Sequence, residues 1–255
     1  MYGRFVCYDD SARPPAGTMP RTRADAESIA LTSTDGARFA AFLARPADPS
    51  GIGVLLLPDN RGLRRFYNEL ALRLAEQGHT TIAIDYFGRS DGVHTDRPAD
   101  FDVMVHLGRL TRNGLYADFA TGIGALRKEC GRVVSLGFCL GGRFAFLTAD
   151  PSFGLSGAIG LYGAPGPIRN APGPIQRAAE LAAPILGLFG GADDGIPPET
   201  VAEFDAALTA ADVRHEFVTY PGAPHGFFDQ SLADEHTDAC ADVWDRVLGF
   251  LSVVA

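Results

Sequence analysis

The chain lacks the features that mark a membrane, secreted or nucleic-acid-binding protein. Its 255 residues contain no run of the roughly 18 uncharged apolar residues that a membrane-spanning helix needs. Residues 1–17 hold acids and prolines without the apolar centre of a secretory signal, so we expect a cytoplasmic protein. With 22 basic against 31 acidic residues and a formal net charge of −9, we expect no nucleic-acid partner and no membrane partner.

Cysteine is also scarce. The four cysteines, Cys7, Cys130, Cys139 and Cys240, form no CxxC pair and no cluster of the kind that holds a metal ion. Without an export signal we expect reduced thiols rather than disulfides. Cys139 differs from the others, because glycines stand two residues before it and two residues after it.

The rest of the chain alternates short apolar runs with amphipathic segments. Residues 1–25 are polar and proline-rich, which predicts an N-terminal arm, and residues 26–255 form one domain without a linker or repeat. Residues 28–46 predict two strands joined by a turn at Asp35-Gly36. Further strands are predicted at 53–58, 80–88, 132–137, 157–163, 184–190 and 214–220, with helices at 65–78, around 116–123, at 139–149, at 198–211 and at the C-terminus. This order predicts an α/β fold, a mostly parallel central sheet with helices on both faces.

The segment Gly-Phe-Cys-Leu-Gly-Gly, residues 137–142, follows one predicted strand and precedes a predicted helix. A nucleophile at such a sharp turn is exposed above the sheet, and the crowded backbone requires the flanking Gly137 and Gly141. The amide of Leu140, at the helix N-terminus, would stabilise an oxyanion, and the helix dipole would favour a Cys139 thiolate. Alternatively, the glycines only pack a strand against a helix, and Cys139 is a small buried apolar residue.

Two later residues complete the elements of a catalytic triad. Asp193 follows the predicted strand at 184–190, and His225 follows the strand at 214–220. Loop acids and histidines are often only turn formers or solvated residues. However, the order nucleophile, acid, histidine is that of α/β-hydrolases, and each of the three follows a different strand on the ligand-binding side of the sheet.

The segments GFCLGG, GGADDGIP and YPGAPHGFFD together resemble the dienelactone hydrolase (carboxymethylenebutenolidase-like) family of α/β-hydrolases. The resemblance extends from about Gly53 to the C-terminus. It implies that Cys139 is the nucleophile, His225 the base and Asp193 the residue that orients the histidine. The family places this acid four residues before a proline, here Pro197, so Asp194 is interpreted as a turn residue.

The resemblance implies further roles around this triad. Asp59 occupies the place of a family glutamate that keeps the resting thiol neutral, although its side chain is one methylene shorter. The amide of Asn60 would be the second oxyanion donor. Arg89, in DYFGR, matches an arginine that binds a substrate carboxylate. Asp229 stands where dienelactone hydrolases have a second such arginine, so it either weakens binding of carboxylated lactones or is an exposed loop or helix-cap acid.

Together these patterns predict a hydrolase that cleaves ester or lactone bonds of small molecules through a thioester on Cys139. This chemistry requires no metal or organic cofactor. Other hypotheses remain open: a general carboxylesterase or thioesterase, a non-catalytic ligand-binding protein with the same fold, or a redox-responsive protein using Cys139. We expect a monomer or a small homo-oligomer.

Overall fold

One eight-stranded sheet runs through the centre of the molecule. The structure, a computed structural model, describes residues 8, 10–17, 19–95, 97, 101–168 and 171–254. The strands are β1 (Ala24–Thr32), β2 (Arg38–Pro46), β3 (Ile52–Leu57), β4 (Thr80–Ile84), β5 (Arg132–Phe138), β6 (Gly157–Leu161), β7 (Ile185–Gly190) and β8 (His215–Tyr220). They lie in the order β1-β2-β4-β3-β5-β6-β7-β8. Only the pairings of β2 with β1 and with β4 are antiparallel, which confirms the predicted mostly parallel sheet.

The first two strands form the predicted hairpin, and Gly36 in its turn has a φ of 85°, a conformation that glycine adopts without strain. Strand β1 begins at Ala24, earlier than Ser28 and inside the segment predicted as the arm. The difference arises because β1 is a largely exposed edge strand. Its first residues alternate alanines only with Asp25 and Glu27 and carry no large apolar side chain, so they give little sign of a strand.

Seven helices connect or flank the strands in the described part of the chain. They are α1 (Arg65–Glu76), α2 (Gly88–Asp91), α3 (Val103–Leu107), α4 (Arg112–Leu126), α5 (Leu140–Leu147), α6 (Pro198–Ala210) and α7 (Ala233–Val253). Helices α2 and α3 lie between the predicted strand at 80–88 and the predicted helix around 116–123, where the sequence indicates no further element. Both are too short to show a helical period, and the Asp102 side chain starts α3 by accepting hydrogen bonds from the amides of Met104 and Val105. No helix among the described residues is both long enough and apolar enough to cross a membrane.

The sheet separates two apolar cores, as the alternation along β3 shows. Val54 and Leu56 pack into the core that contains α1 and α7, whereas Leu55 and Leu57 pack into the core that contains α4. All four side chains are fully buried. Burial of one such side chain stabilises the fold by about 1.5–3 kcal/mol. The helices packed on both faces therefore stabilise the central strands.

The central strands deliver the candidate site residues to one edge of the sheet. Strands β3, β5, β6, β7 and β8 are parallel to one another, so their carboxyl ends meet on the same side. The residues that follow these five ends are Asp59 with Asn60, Cys139, Tyr162, Asp193 and His225, respectively.

Candidate active site

Cys139 lies at a sharp turn between β5 and α5. Its φ of 54° and ψ of −113° are unusual for a residue with a side chain, and such strain persists only where surrounding contacts enforce it. Those contacts depend on two glycines. A Cβ on Gly137 would lie 1.9 Å from the carbonyl oxygen of Gly141, and a Cβ on Gly141 would lie 2.0 Å from the carbonyl oxygen of Leu57. Any larger residue at either position would displace the backbone that carries Cys139.

His225 and Asp193 meet directly above the ends of β7 and β8. The ring Nδ1 of His225 donates to Oδ2 of Asp193 over 2.6 Å, and the other oxygen of Asp193 accepts from the Gly195 amide over 2.9 Å. The Asp193 side chain is 1% exposed, whereas the neighbouring Asp194 is exposed. The structure therefore brings Asp193, and not Asp194, to the histidine.

The side chain of His225 also interacts with that of Cys139. Because Nδ1 is occupied by Asp193, Nε2 is the nitrogen that can receive the thiol proton. Burial alone would lower the pKa of His225. The hydrogen bond to Asp193, the interaction with Cys139 and the negative charge of both partners outweigh burial and raise the pKa to about 10. Asp193 and a Cys139 thiolate would thus stabilise the imidazolium, which makes His225 a suitable acceptor for the thiol proton.

Asp59, which follows β3, is a second buried acid beside Cys139. It is 1% exposed, and its Oδ1 accepts from the Arg61 amide over 2.8 Å. Burial, followed by repulsion from the Cys139 sulfur, raises the pKa of Asp59 to about 7 despite that hydrogen bond and the Arg61 charge. The charges of Asp59 and Cys139 are thus coupled.

A cavity of about 420 Å³ opens at these residues. Cys139 and His225 line it, together with Leu140 and Asn60, the two residues whose amides are the predicted oxyanion donors. Leu140 is the first residue of α5, so its amide belongs to the helix end whose dipole attracts negative charge. A volume of this size is typical of a small-molecule site.

Arg89 does not belong to this cavity. Its guanidinium donates to both oxygens of Asp118 over 2.9 Å and to those of Asp35 over 2.7 and 3.1 Å. These contacts tie α2 to α4 and to the hairpin turn. The DYFGR match gives the position of Arg89 after β4 but not the direction of its side chain, and the structure does not bring Arg89 to Cys139.

Asp229 is buried rather than exposed, with 8% of its surface accessible. Its Oδ1 accepts from the Ser231 amide over 3.0 Å and from the Arg13 amide over 3.2 Å. It caps the short 3₁₀ turn Gln230–Leu232 and binds the N-terminal arm. Asp229 is not among the residues that line the cavity.

Two cavity residues, Arg143 and Tyr162, escaped the sequence reasoning. Arg143 lies four residues after Cys139, is 4% exposed, and donates to the carbonyl oxygens of Ala164, Gly166 and Pro172. The ring of Tyr162 lies with its centroid 5.1 Å from that of His225. The sequence could have indicated Arg143, because an arginine is unusual inside the otherwise apolar helix segment after Cys139. It gave no indication of Tyr162, which stands at the end of an apolar strand.

The remaining described cysteines do not lie at the cavity. Burial raises the pKa of the Cys130 thiol and, together with the nearby Asp229 charge, raises that of Cys240 to about 11. Cys7 lies outside the described residues. Among the described residues no group of three His, Cys, Asp or Glu side chains could hold a metal ion.

Residues 39–255 match the model of the dienelactone hydrolase family. The chain belongs to this family. It is 31% identical over 254 residues to an Escherichia coli protein named "Putative carboxymethylenebutenolidase", covering 93% of this chain and 92% of that protein. It is 30% identical over 251 residues to the carboxymethylenebutenolidase of Rhodococcus opacus, covering 96% of each.

A solved structure supports the same assignment for the fold. The crystal structure of a "Putative Dienelactone Hydrolase" from Klebsiella pneumoniae superposes with a TM-score of 0.77 and 28% sequence identity, covering 90% of this chain and 98% of that one. The chain is thus a dienelactone hydrolase family member with the α/β-hydrolase fold, as the sequence resemblance predicts.

Proposed function

We propose that this family member hydrolyses ester or lactone bonds of small molecules with Cys139 as nucleophile, His225 as base and Asp193 as the orienting acid. The observation that carries the proposal is the chain of contacts from Asp193 through His225 to Cys139, which begins with the 2.6 Å hydrogen bond. A nucleophile, a base and an orienting acid in this arrangement are the requirements of nucleophilic acyl transfer.

In the acylation half of the reaction, His225 takes the proton from Cys139 and the thiolate attacks the carbonyl carbon. The carbonyl oxygen becomes an oxyanion, which we expect the amides of Leu140 and Asn60 to stabilise. Collapse of this intermediate breaks the bond to the alkoxide, and His225 returns its proton to that leaving group. The products are an alcohol and a thioester on Cys139.

In the deacylation half, His225 takes a proton from water, and the resulting hydroxide attacks the thioester carbon. Collapse releases a carboxylic acid and the Cys139 sulfur, which regains its proton from His225. Throughout both halves Asp193 holds the imidazole by Nδ1 and stabilises its cation. A lactone leaves its alcohol tethered to the acyl group, so reversal of acylation competes with hydrolysis.

Asp59 is proposed to adjust the ionisation of Cys139. As a carboxylate it repels the thiolate and keeps the resting sulfur protonated, whereas as a neutral acid it removes that repulsion. Because the pKa of Asp59 is raised to about 7, small changes in its surroundings on substrate binding suffice to change its charge.

The lining of the cavity favours neutral esters or lactones over carboxylated ones, which makes a general carboxylesterase or thioesterase the second candidate. The one arginine among the described lining residues, Arg143, already donates to three backbone carbonyls. The Rhodococcus opacus relative is named for a carboxymethylenebutenolidase activity. The substrate of that activity is therefore included in the panel used to test this chain.

The test compares wild type with Cys139→Ala, His225→Ala and the control Cys130→Ala on a panel of small esters, thioesters and lactones. Cys130 is a buried thiol two residues before β5, at the end of the strand away from Cys139, so its loss should leave turnover unchanged. We expect the first two variants to lose activity. Intact-mass measurement should show an acyl adduct on wild type and on Cys130→Ala but not on Cys139→Ala.

Hydrolysis at equal rates by all four proteins would refute the assignment of the triad. Ligand binding by wild type without any adduct or turnover across the panel would favour a non-catalytic sensor instead. Reversible oxidation of Cys139 without acylation would favour a redox role.

A further inference from the structure

The N-terminal arm contains a segment that packs beside the active site. Residues 8 and 10–17, here called the strap, precede the portion of the chain that matches the family model. Tyr8 is 3% exposed, and its ring stacks on that of Phe66 with centroids 3.9 Å apart. At the other end of the strap, the Trp244 indole donates to the carbonyl oxygen of Pro15 over 3.2 Å. The strap is therefore anchored on both α1 and α7.

The strap also holds the loop that carries His225, here called the histidine loop and comprising residues 221–232. The Tyr8 hydroxyl donates to the carbonyl oxygen of Phe228 over 3.0 Å. The Arg13 amide donates to Asp229 over 3.2 Å, and the Arg13 carbonyl accepts from the Gln230 amide over 2.8 Å. The Gln230 side chain in turn accepts from the Ala16 amide over 2.9 Å. Three consecutive residues of the loop, beginning three positions after His225, are thus bonded to the strap.

Tyr8 also connects this loop to Tyr162, a residue that lines the cavity. Its hydroxyl hydrogen-bonds the hydroxyl of Tyr162. A carbonyl can only accept, so the single hydroxyl proton of Tyr8 goes to Phe228, and Tyr162 must donate to Tyr8. The residue before Tyr162, Leu161, accepts the Cys139 amide over 3.0 Å. A continuous path of bonds therefore runs from the backbone of Cys139, through Tyr162 and Tyr8, to the histidine loop.

We propose that Tyr8 is a positioning residue that sets the placement of His225 relative to Cys139 through its paired contacts with Tyr162 and Phe228. Asp193 holds the imidazole by its ring nitrogen, while Tyr8 bonds the backbone of the histidine loop three residues after His225. The expected effect of Tyr8 on catalysis rests on the proposed function. Its effect on the contact between His225 and Cys139 can be measured even if no ester is turned over.

The decisive variant is Tyr8→Phe, which removes the hydroxyl but keeps the ring that packs on Phe66. Loss of a positioning hydrogen bond, with a shift of the histidine well below 1 Å, should lower kcat on a reactive ester about tenfold. KM should change little, because Tyr8 does not line the cavity. The thiolate loses part of its cationic partner, so the pH at which Cys139 reacts half-maximally with iodoacetamide should rise.

Two further variants make the comparison specific. Gln230→Ala removes the acceptor of the Ala16 amide at an exposed position and should shift the same two readouts in the same direction, by less. Tyr116→Phe is the matched control, since it also removes one tyrosine hydroxyl, here bonded to Arg177 and not to the strap. It should leave kcat and the alkylation profile unchanged. Peptide-level mass spectrometry restricts the alkylation readout to Cys139.

A Tyr8→Phe protein with the wild-type kcat and the wild-type alkylation profile would overturn the proposal. Equal losses in Tyr8→Phe and Tyr116→Phe would overturn it too, because they would indicate general destabilisation. If wild type hydrolyses no ester but the alkylation profile of Tyr8→Phe still shifts, the proposed function fails and the positioning role stands. If esters are hydrolysed and neither readout changes in Tyr8→Phe, only the positioning role fails.

Discussion

The buried acid Asp59 makes a prediction in which stability depends on pH. In an unfolded chain its pKa lies near 3.8, whereas burial and the Cys139 sulfur raise it to about 7 in the folded protein. Between these values the folded state binds one proton more than the unfolded state, so the free energy of unfolding must fall as pH rises. Each pH unit in this interval costs about 1.4 kcal/mol, so Asp59 destabilises the folded protein by about 4 kcal/mol above pH 7.

Replacing Asp59 by asparagine removes this ionisation while retaining an oxygen for the Arg61 amide. Asp59→Asn should therefore match wild type in stability below about pH 4 and exceed it by up to about 4 kcal/mol at pH 8. Urea unfolding at several pH values measures the difference. In a Cys139→Ala background the gain should be smaller, because the repulsion from the sulfur is already absent.

Asp194→Asn is the matched control, since it removes an exposed carboxylate by the same substitution. Its effect on the free energy of unfolding should be small. Our reasoning would be refuted if Asp59→Asn lost stability at pH 8, because Asp59 would then be a carboxylate that the fold needs in charged form. A gain of equal size at every pH would also refute it, since ionisation would not be the cause.

Three further predictions concern the site and its support. Asp193→Asn should lower kcat by about 10³- to 10⁴-fold through loss of the correct histidine tautomer, whereas Asp194→Asn should retain activity in the same ester assay. Gly141→Ala should abolish a stable fold, because its Cβ would lie 2.0 Å from a backbone oxygen. Gly124→Ala, in open space on α4, should instead raise the free energy of unfolding by up to about 1 kcal/mol, as measured by urea titration. Arg89→Ala should lower the free energy of unfolding by about 3 kcal/mol, because it leaves the buried Asp118 without its cation, and KM should not change. An increase in KM without a loss of stability would instead indicate that Arg89 binds substrate.

The strand ends explain why much of the site could be predicted from sequence. Cys139, Asp193 and His225 each follow a strand within five residues, and parallel strands place such positions at one edge. The glycines around Cys139 carry a signal of their own, since the tight turn admits no side chain there. These signals are local, and the parallel sheet brings them together without any further information.

The features that escaped prediction depend on contacts between distant parts of the chain. Arg89 has the expected position after β4, but its direction is decided by Asp118 on another helix. Asp229 is buried and accepts a hydrogen bond from Arg13, more than two hundred residues earlier. No pattern within one segment records such pairings. For the same reason the sequence identifies an N-terminal arm but not the place where it packs.

The position of β8 at the edge of the sheet has a consequence for how the protein loses activity under stress. Among the strands, β8 pairs only with β7, and most of its residues are partly or largely exposed. His225 follows this edge strand, whereas Cys139 follows β5, which has a partner on each side. Local opening at the edge would separate base from nucleophile while the central strands stay folded. Inactivation by mild heat or denaturant should therefore precede loss of the overall fold and reverse rapidly on return to native conditions.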